Sequence, residues 1–344
     1  MAGDRPQSTA ARAVTSRRRL LTVGALTPVL AGTGGGIATA LTRAAPTGGG
    51  RGGHALVKPL PSKESDWTEV AKALGREGSV LRGTTYHTAF NRDDLHVVSY
   101  GVKITPGLAL GSHVGFVRYE DGTTMVMGDV VVTERELQGV SEAFHANGIG
   151  QTAIHKHLLA QRPDVWWTHV HGHGKDAVAL ARGLRAGLDR TSTPDQPVPS
   201  PTDPVDLDTE GIDAALGIKG SSVDGIYKAA FIRRETIVDG HLVLPPGLGS
   251  TSAFVFQPLG GGRAALHGDC AVIASEVDDV IGALRQGRID LVELHNHHLQ
   301  DTPRLFFIHF WAVGDAVKIA KGLRRTVDVT NVMAPPNAGD RKLD

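Results

Sequence analysis

The chain has 344 residues, 41% of them hydrophobic and 21% charged, enough apolar material for a packed core and too much for wholesale disorder. Lys+Arg and Asp+Glu both number 36, so the net charge of +0 gives no bulk electrostatic reason to bind nucleic acid or an anionic membrane. One cysteine, Cys270, excludes an intramolecular disulfide and any cysteine-cluster metal site.

The first segment reads as an address. Arg5, Arg12 and the run Arg17-Arg18-Arg19 precede a mild apolar stretch from Leu20 to Leu41, and Ala38-Thr39-Ala40 supplies a small-residue cleavage site. Residues 1–40 are therefore expected to be a twin-arginine signal peptide, with the Tat translocase as partner and a secreted or cell-envelope destination. Gly, Thr and Pro28 dilute the apolar stretch below what a stable membrane anchor needs, and no cysteine near the cleavage site could carry a lipid. Residues 41–61, rich in glycine, read as a flexible linker.

The remainder is one unit written twice. At an offset of 140, Thr105-Pro106-Gly107-Leu108 falls on Pro245-Pro246-Gly247-Leu248, and Met127-Gly128-Asp129 on His267-Gly268-Asp269. The same offset places Glu136 on Glu276, Ile154-His155-Lys156-His157 on Leu294-His295-Asn296-His297, Trp166-Trp167 on Phe306-Phe307 and His169 on His309. A one-residue slip brings Phe90-Asn91-Arg92 onto Phe231-Ile232-Arg233. Spacing kept over so long a stretch marks a tandem duplication. The expected organisation is repeat 1 at 62–190, a Pro/Ser/Thr/Asp linker at 191–204, repeat 2 at 205–332 and a tail at 333–344.

Within repeat 1, alternation predicts strands at 97–104, 113–119 and 124–132. Thr133 and Glu136 form a capping box for a helix to about 146, ended by Asn147-Gly148. Strands at 150–157 and 165–171 and a helix at 175–188 follow, and repeat 2 keeps this order with strands at 289–297 and 304–311 and helices ending at Gly287 and near 325. The fold class is α+β: two pseudo-symmetric repeats, each an antiparallel sheet with two helices, built on a ferredoxin-like split β-α-β core with extra N-terminal strands. Gly128-Asp129 and Gly268-Asp269 read as strand-bulge or turn chemistry, and Cys270 as a buried, inert thiol.

Ten of the 16 histidines fall within 145–173 and 295–309. Side chains at i and i+2 of a strand share a face, so His155 pairs with His157 and His169 with His171, and a hairpin between the two strands would bring the pairs together. His173, between two glycines, is expected on a turn beside the same edge. Repeat 2 keeps His295, His297 and His309 but has Trp311 and Val313 in place of His171 and His173. Neutral imidazoles so placed can converge on a divalent ion (Zn, Cu, Fe or Mn). The candidate ligands are His155, His157, His169 and His173 in one site and His295, His297 and His309 in a second, weaker one. Glu293 is a candidate carboxylate ligand or general base. No Walker loop, nucleophile elbow, H-E-x-x-H motif or dinucleotide fingerprint is present, so no nucleotide cofactor is expected. Two functions fit: a metal-dependent protein carrying out hydrolytic or oxidative chemistry on a small molecule, or a non-catalytic envelope ligand-binding protein whose histidines are structural.

These motifs, H-x-H followed by aromatic-aromatic-x-His and then Gly-x-Asp-Ala-Val or Gly-Asp-Ala-Val with Ala-(Lys/Arg)-Gly-Leu-Arg, are similar to those of the LppY/LpqO-like proteins. The resemblance spans both copies and implies an exported bacterial protein built on a domain of unknown function. It implies no activity. Carried over by position, it points to the same histidines in each copy.

Overall fold

The computed structural model describes residues 55–196 and 204–335. The signal segment 1–40, residues 41–54 of the first linker, 197–203 of the second and 336–344 of the tail lie outside the described residues. No helix among the described residues is long and apolar enough to cross a membrane.

Repeat 1 contains helix α1 (Thr68–Leu74), strands β1 (Ser79–Leu81), β2 (Thr85–Asn91), β3 (Gly111–Arg118) and β4 (Thr124–Thr133), helix α2 (Leu137–Ala146), strands β5 (Gly150–His155) and β6 (Val165–Gly174), and helix α3 (Ala177–Leu188). The strands form one antiparallel sheet in the order β1-β2-β3-β4-β6-β5. Because β6 lies between β4 and β5, the β4-α2-β5 crossover is split by a third strand, as the sequence predicts. Repeat 2 follows the same plan: α4 (Thr209–Leu216), β7 (Ser221–Val223), β8 (Ile226–Arg233), β9 (Thr251–Pro258), β10 (Arg263–Ile273), α5 (Val277–Gln286), β11 (Asp290–His295), β12 (Leu305–Asp315) and α6 (Ala316–Asp328). Its sheet runs β7-β8-β9-β10-β12-β11, with Val332–Met333 pairing onto β8.

Local chemistry explains the helix ends. Asp176 caps α3 by accepting from the Val178 and Ala179 amides, and Asp315 caps α6 by accepting from Lys318. Helices α1 and α4 stop at Gly75 and Gly217, both left-handed. These two short helices add a third helix to each repeat, beyond the two expected. The strand expected at 97–104 is instead two short ribbons, Val98–Ser99 and Val102–Lys103, because the chain reverses at Tyr100 and Gly101, both with positive φ. Gly128 and Gly268 do not mark bulges. They sit in long regular strands where a Cβ would lie 2.1 Å from the His113 carbonyl oxygen and 2.0 Å from the Phe310 ring, respectively. The register shifts fall at Gln151/Ala153 and Leu291/Glu293.

The period of two divides each sheet into faces. In β4, Val126, Val130 and Val132 pack under Val140, Phe144 and Leu184 of the helices. In β10 and β12, Leu266, Val272, Ile308 and Phe310 do the same under Val280 and Leu323. The odd-numbered positions face the other way, and there the repeats meet: Val131 and Trp167 share a cluster with Val255 and Trp311, and Met127 shares one with Leu305 and Phe307. The order of layers is therefore helix, sheet, sheet, helix. The odd positions between those two apolar clusters (129, 169, 269 and 309) are polar.

Each repeat also buries one ion cluster. Arg92, fully buried, donates to Asp94, Glu136 and the Val131 carbonyl. Arg233 repeats this with Glu235, Glu276 and the Ala271 carbonyl. Glu136 also accepts from the Thr133 amide, the carboxylate arm of the expected capping box.

A candidate metal centre shared by the two repeats

The site is built by strand parity. His169 and His309 stand at odd positions in the middle of β6 and β12, paired in register with Asp129 and Asp269 on β4 and β10. His155 and His295 end the neighbouring strands β5 and β11, and His157 and His297 follow two residues on. Because the two sheets are face to face, the six histidines expected in two separate groups gather into one cluster.

His155 stacks on His295 of the other repeat, with ring centroids 3.8 Å apart, and lies 4.7 Å from His169 and 5.2 Å from His309. His157 lies 4.1 Å from His309, and His169 lies 4.0 Å from His297. The rings are held from outside by aromatic plates: His157 stacks on Trp167 and His297 on Phe307. These plates are the equivalent second residues of the Trp166-Trp167 and Phe306-Phe307 pairs. Three polar ties lock the loops together across the repeats: Glu293 accepts from the Lys156 amide at 2.8 Å, Thr152 donates to the His297 carbonyl, and Asn296 donates to the Thr152 carbonyl. Glu293 is thus placed at a backbone amide of the other repeat.

The ring nitrogens show what the site could hold. His169 Nδ1 contacts the Gly128 carbonyl at 3.3 Å and His309 Nδ1 the Gly268 carbonyl at 3.2 Å. A carbonyl only accepts, so each Nδ1 carries the proton and each Nε2 keeps a lone pair. Neither Nε2 has a partner, and the same holds for both nitrogens of His155 and of His295 and for His297 Nε2, all buried. Burial first, then the neighbouring imidazoles, holds His155, His157, His295, His297 and His309 below the ordinary histidine range, and burial takes His169 down to about 3. All six are therefore neutral near pH 7, the form that ligates metal. Two triads, His155/His169/His295 and His155/His157/His309, have ligand atoms within 4.8 Å of one another. Donor set, burial, tautomer and spacing all fit a divalent cation.

Asp129 and Asp269 complete the surroundings. Asp129 Oδ2 is 3.1 Å from His157 Nε2, and Asp269 Oδ2 is 3.8 Å from His297 Nε2. Burial pushes Asp129 up to about 7, against the pull of His113, and holds Asp269 well above the usual carboxylate range, with Asp129's charge adding to it. The glycine before each aspartate suggests a bulge, which the regular strands do not contain. The parity of the aspartates with His169 and His309 across a strand pair is the signal that could have found them. His267, in register with Trp311, contacts His309 Nδ1 at 3.2 Å and was also missed.

His173 stands apart. It shares the parity of His169 but lies four residues further along β6, about 13 Å away at strand rise. It is exposed, within the strand and not on a turn, and its Nε2 meets Thr123 Oγ1 at 2.8 Å. His171 pairs with Asp239 of repeat 2 at 2.9 Å, and His298 approaches the same carboxylate. Burial alone would raise Asp239, but its histidine partners outweigh this and hold it well below the carboxylate range.

A family model described as Domain of Unknown Function (DUF1259) matches residues 68–190 and 210–329, one match per repeat. A search among curated proteins finds no match. Among solved structures, the chain is similar to the trimeric bacterial microcompartment shell protein PduB (12% identity, 72% of this chain and 86% of that one, TM-score 0.17). It is also similar to EtuB from Clostridium kluyveri (11% identity, 73% and 88%, TM-score 0.18). Superpositions that poor say nothing about the assembly or chemistry of this chain.

Proposed function

The chain belongs to the DUF1259 family of domains of unknown function, in two copies, and from that premise we propose that it is a metal-binding protein whose one histidine centre is assembled from both repeats. The observation that carries this reading is the set of buried ring nitrogens without partners, contributed by His155 and His169 from one repeat and His295, His297 and His309 from the other. A buried polar atom left unsatisfied costs about 1–3 kcal/mol, so such a concentration is a poor way to build a core and a good way to hold a cation. An imidazole-rich set suits Zn, Cu or Fe, with Mn a poorer match. A bound ion would supply Lewis acidity, or redox capacity if it were Cu or Fe, to a small molecule beside it. His155, common to both triads, is the central ligand.

The setting proposed for this centre is the cell envelope or the exterior. The Arg17-Arg18-Arg19 run, the weakly apolar stretch behind it and the Ala38-Thr39-Ala40 site support export by the twin-arginine route, as does the resemblance to LppY/LpqO-like proteins. Replacing Arg17 and Arg18 with Lys is expected to leave precursor in the cytoplasm. Export of that variant at the wild-type level would dispose of this half of the reading.

Elemental analysis of untagged protein, as purified and after exposure to each of Zn, Cu, Fe and Mn, tests the metal. Near-stoichiometric metal that disappears in His155→Ala is expected. A folded protein that takes up none of the four would return the histidines to structure and favour a non-catalytic binding protein instead.

A further inference from the structure

Beside the histidine centre the two sheets part. Strands β2 and β3 of one repeat and β8 and β9 of the other line an open-mouthed cavity of about 520 Å³, within the range of small-molecule sites. It exists because the facing positions are small: Ala89, Gly115, Ala230 and Ala253 line it where larger side chains would interlock. His157, His169, His297, His309, Asp129 and Asp269 form its floor, so the cavity gives directly onto the proposed metal site. Asp129, 3% exposed, lines it with an unpartnered Oδ1.

The opposite wall carries Lys228, in the middle of β8. At the one-residue slip that aligns Phe90 with Phe231, its counterpart in repeat 1 is His87, which lines the same cavity. Lys228 forms no salt bridge among the described residues, and the two floor carboxyls are turned to His157 and His297. Burial first, and Lys228's charge in addition, holds His87, His113 and His267 below the ordinary histidine range, and Arg82 also lines the cavity as a second cation. A lysine on the cavity wall that forms no salt bridge among the described residues, opposite a cation-binding cluster, places a cationic group at each end of the space. An ammonium recognises charge without geometric preference, so the ligand class is set by sign and size.

We propose that this cavity takes a small organic anion, one end at the histidine centre and a negatively charged group on Lys228. The inference rests on the metal reading above for one end of the ligand and on Lys228 for the other. Loss of a charge-assisted contact of this kind is read as at least about a tenfold weakening.

Calorimetric titration of succinate, and separately of inorganic phosphate, into the full metal-loaded protein, with metal content measured on every sample, tests the assignment. Binding of one anion should weaken at least about tenfold in Lys228→Met, be largely retained in Lys228→Arg and leave metal content unchanged. Which anion binds tells a carboxylate site from a phosphate site. Equal binding by Lys228→Met, equal binding of the neutral diamide of succinate, or no binding of either anion overturns the proposal. Lys228-dependent binding by a wild-type protein that takes up no metal would uphold the anion site and overturn the metal centre.

Discussion

Arg92 and His155 lie in the same repeat and are equally buried, 0% and 1% exposed, yet their polar atoms are treated in opposite ways. The guanidinium has five N–H donors, and five bonds are made, to Asp94, Glu136 and the Val131 carbonyl. The imidazole has two nitrogens, and neither has a partner. Repeat 2 draws the same contrast between Arg233 and His295. A cluster that satisfies itself is a fastener. One that surrounds unsatisfied atoms with rigid supports, as Trp167, Phe307 and the Gly128 and Gly268 carbonyls do here, is prepared for something else.

The contrast is most sharply broken from the Arg92 side. Arg92→Met leaves Glu136 and Asp94 buried without their cation and is expected to cost about 3–5 kcal/mol in denaturant unfolding, while the folded fraction still binds metal in wild-type proportion. Loss of metal at unchanged stability would reverse the two roles.

His155→Ala is expected to do the opposite. Metal affinity should fall by at least about 100-fold, because a ligand common to both triads is gone, while the metal-free protein loses no more than about 1 kcal/mol, since two unsatisfied nitrogens leave with the ring. Melting curves with and without metal separate the two effects. A large drop in the metal-free protein would mean that the imidazole stack is a fastener after all.

Acid should sharpen the comparison in metal-free protein. His87, half-buried, is pushed down to about 4 by burial and then by Lys228, so it stays neutral in the fold while the unfolded chain takes up a proton near 6.5. Its share of stability is complete above about pH 6.5 and is lost as the pH falls toward 4, at no more than about 1.4 kcal/mol per pH unit and less for its partial exposure. His87→Gln should flatten that part of the curve. Glu136 behaves differently. Burial would raise it, but hydrogen bonds from Arg92 and the Thr133 and Ser192 amides hold it below the usual range, so its contribution is intact above about pH 4.5 and fades only below. An acid limb unaltered by His87→Gln would show that burial does not govern this histidine.

The smallest effect is expected at His173. His173→Ala should change stability by less than about 0.5 kcal/mol and metal affinity less than twofold, since its ring is exposed and, among the described residues, its contacts are with Thr123 and His241. A tenfold loss of affinity would require a different arrangement of the strand end.

What could be read in the sequence, and what could not, follows the reach of each signal. The offset of 140 and the period of two are local, and they yield the duplication, the split β-α-β order and the shared faces of His155 with His157 and His169 with His171. The glycines on either side of His173 suggest a turn that could fold it back beside the others, but the strand runs straight through them to Gly174 and carries His173 away. Parity also does not say what a face will meet. That the histidine faces of the two copies meet each other depends on the pairing of whole sheets, fixed by scattered residues such as Val131, Trp167, Val255 and Trp311. Asp129 was obscured by the glycine before it, whose real purpose is to let β4 pass close to His113. The short α1 and α4 helices, seven and eight residues long, show too few turns for their period to register.

The one-residue slip that sets Lys228 against His87 has a consequence for direction. Two identical halves facing each other across a twofold axis can offer a ligand only two equivalent ends, so a molecule with a head and a tail would bind equally well either way round. Joined in one chain, the halves can differ: His87 faces the cavity on one side and Lys228 on the other, and Met127 stands where its counterpart is His267. The six histidines keep the symmetry, and the walls break it. A centre of this kind can treat its two repeats as equals when gripping an ion and as unequal when orienting whatever lies beside it.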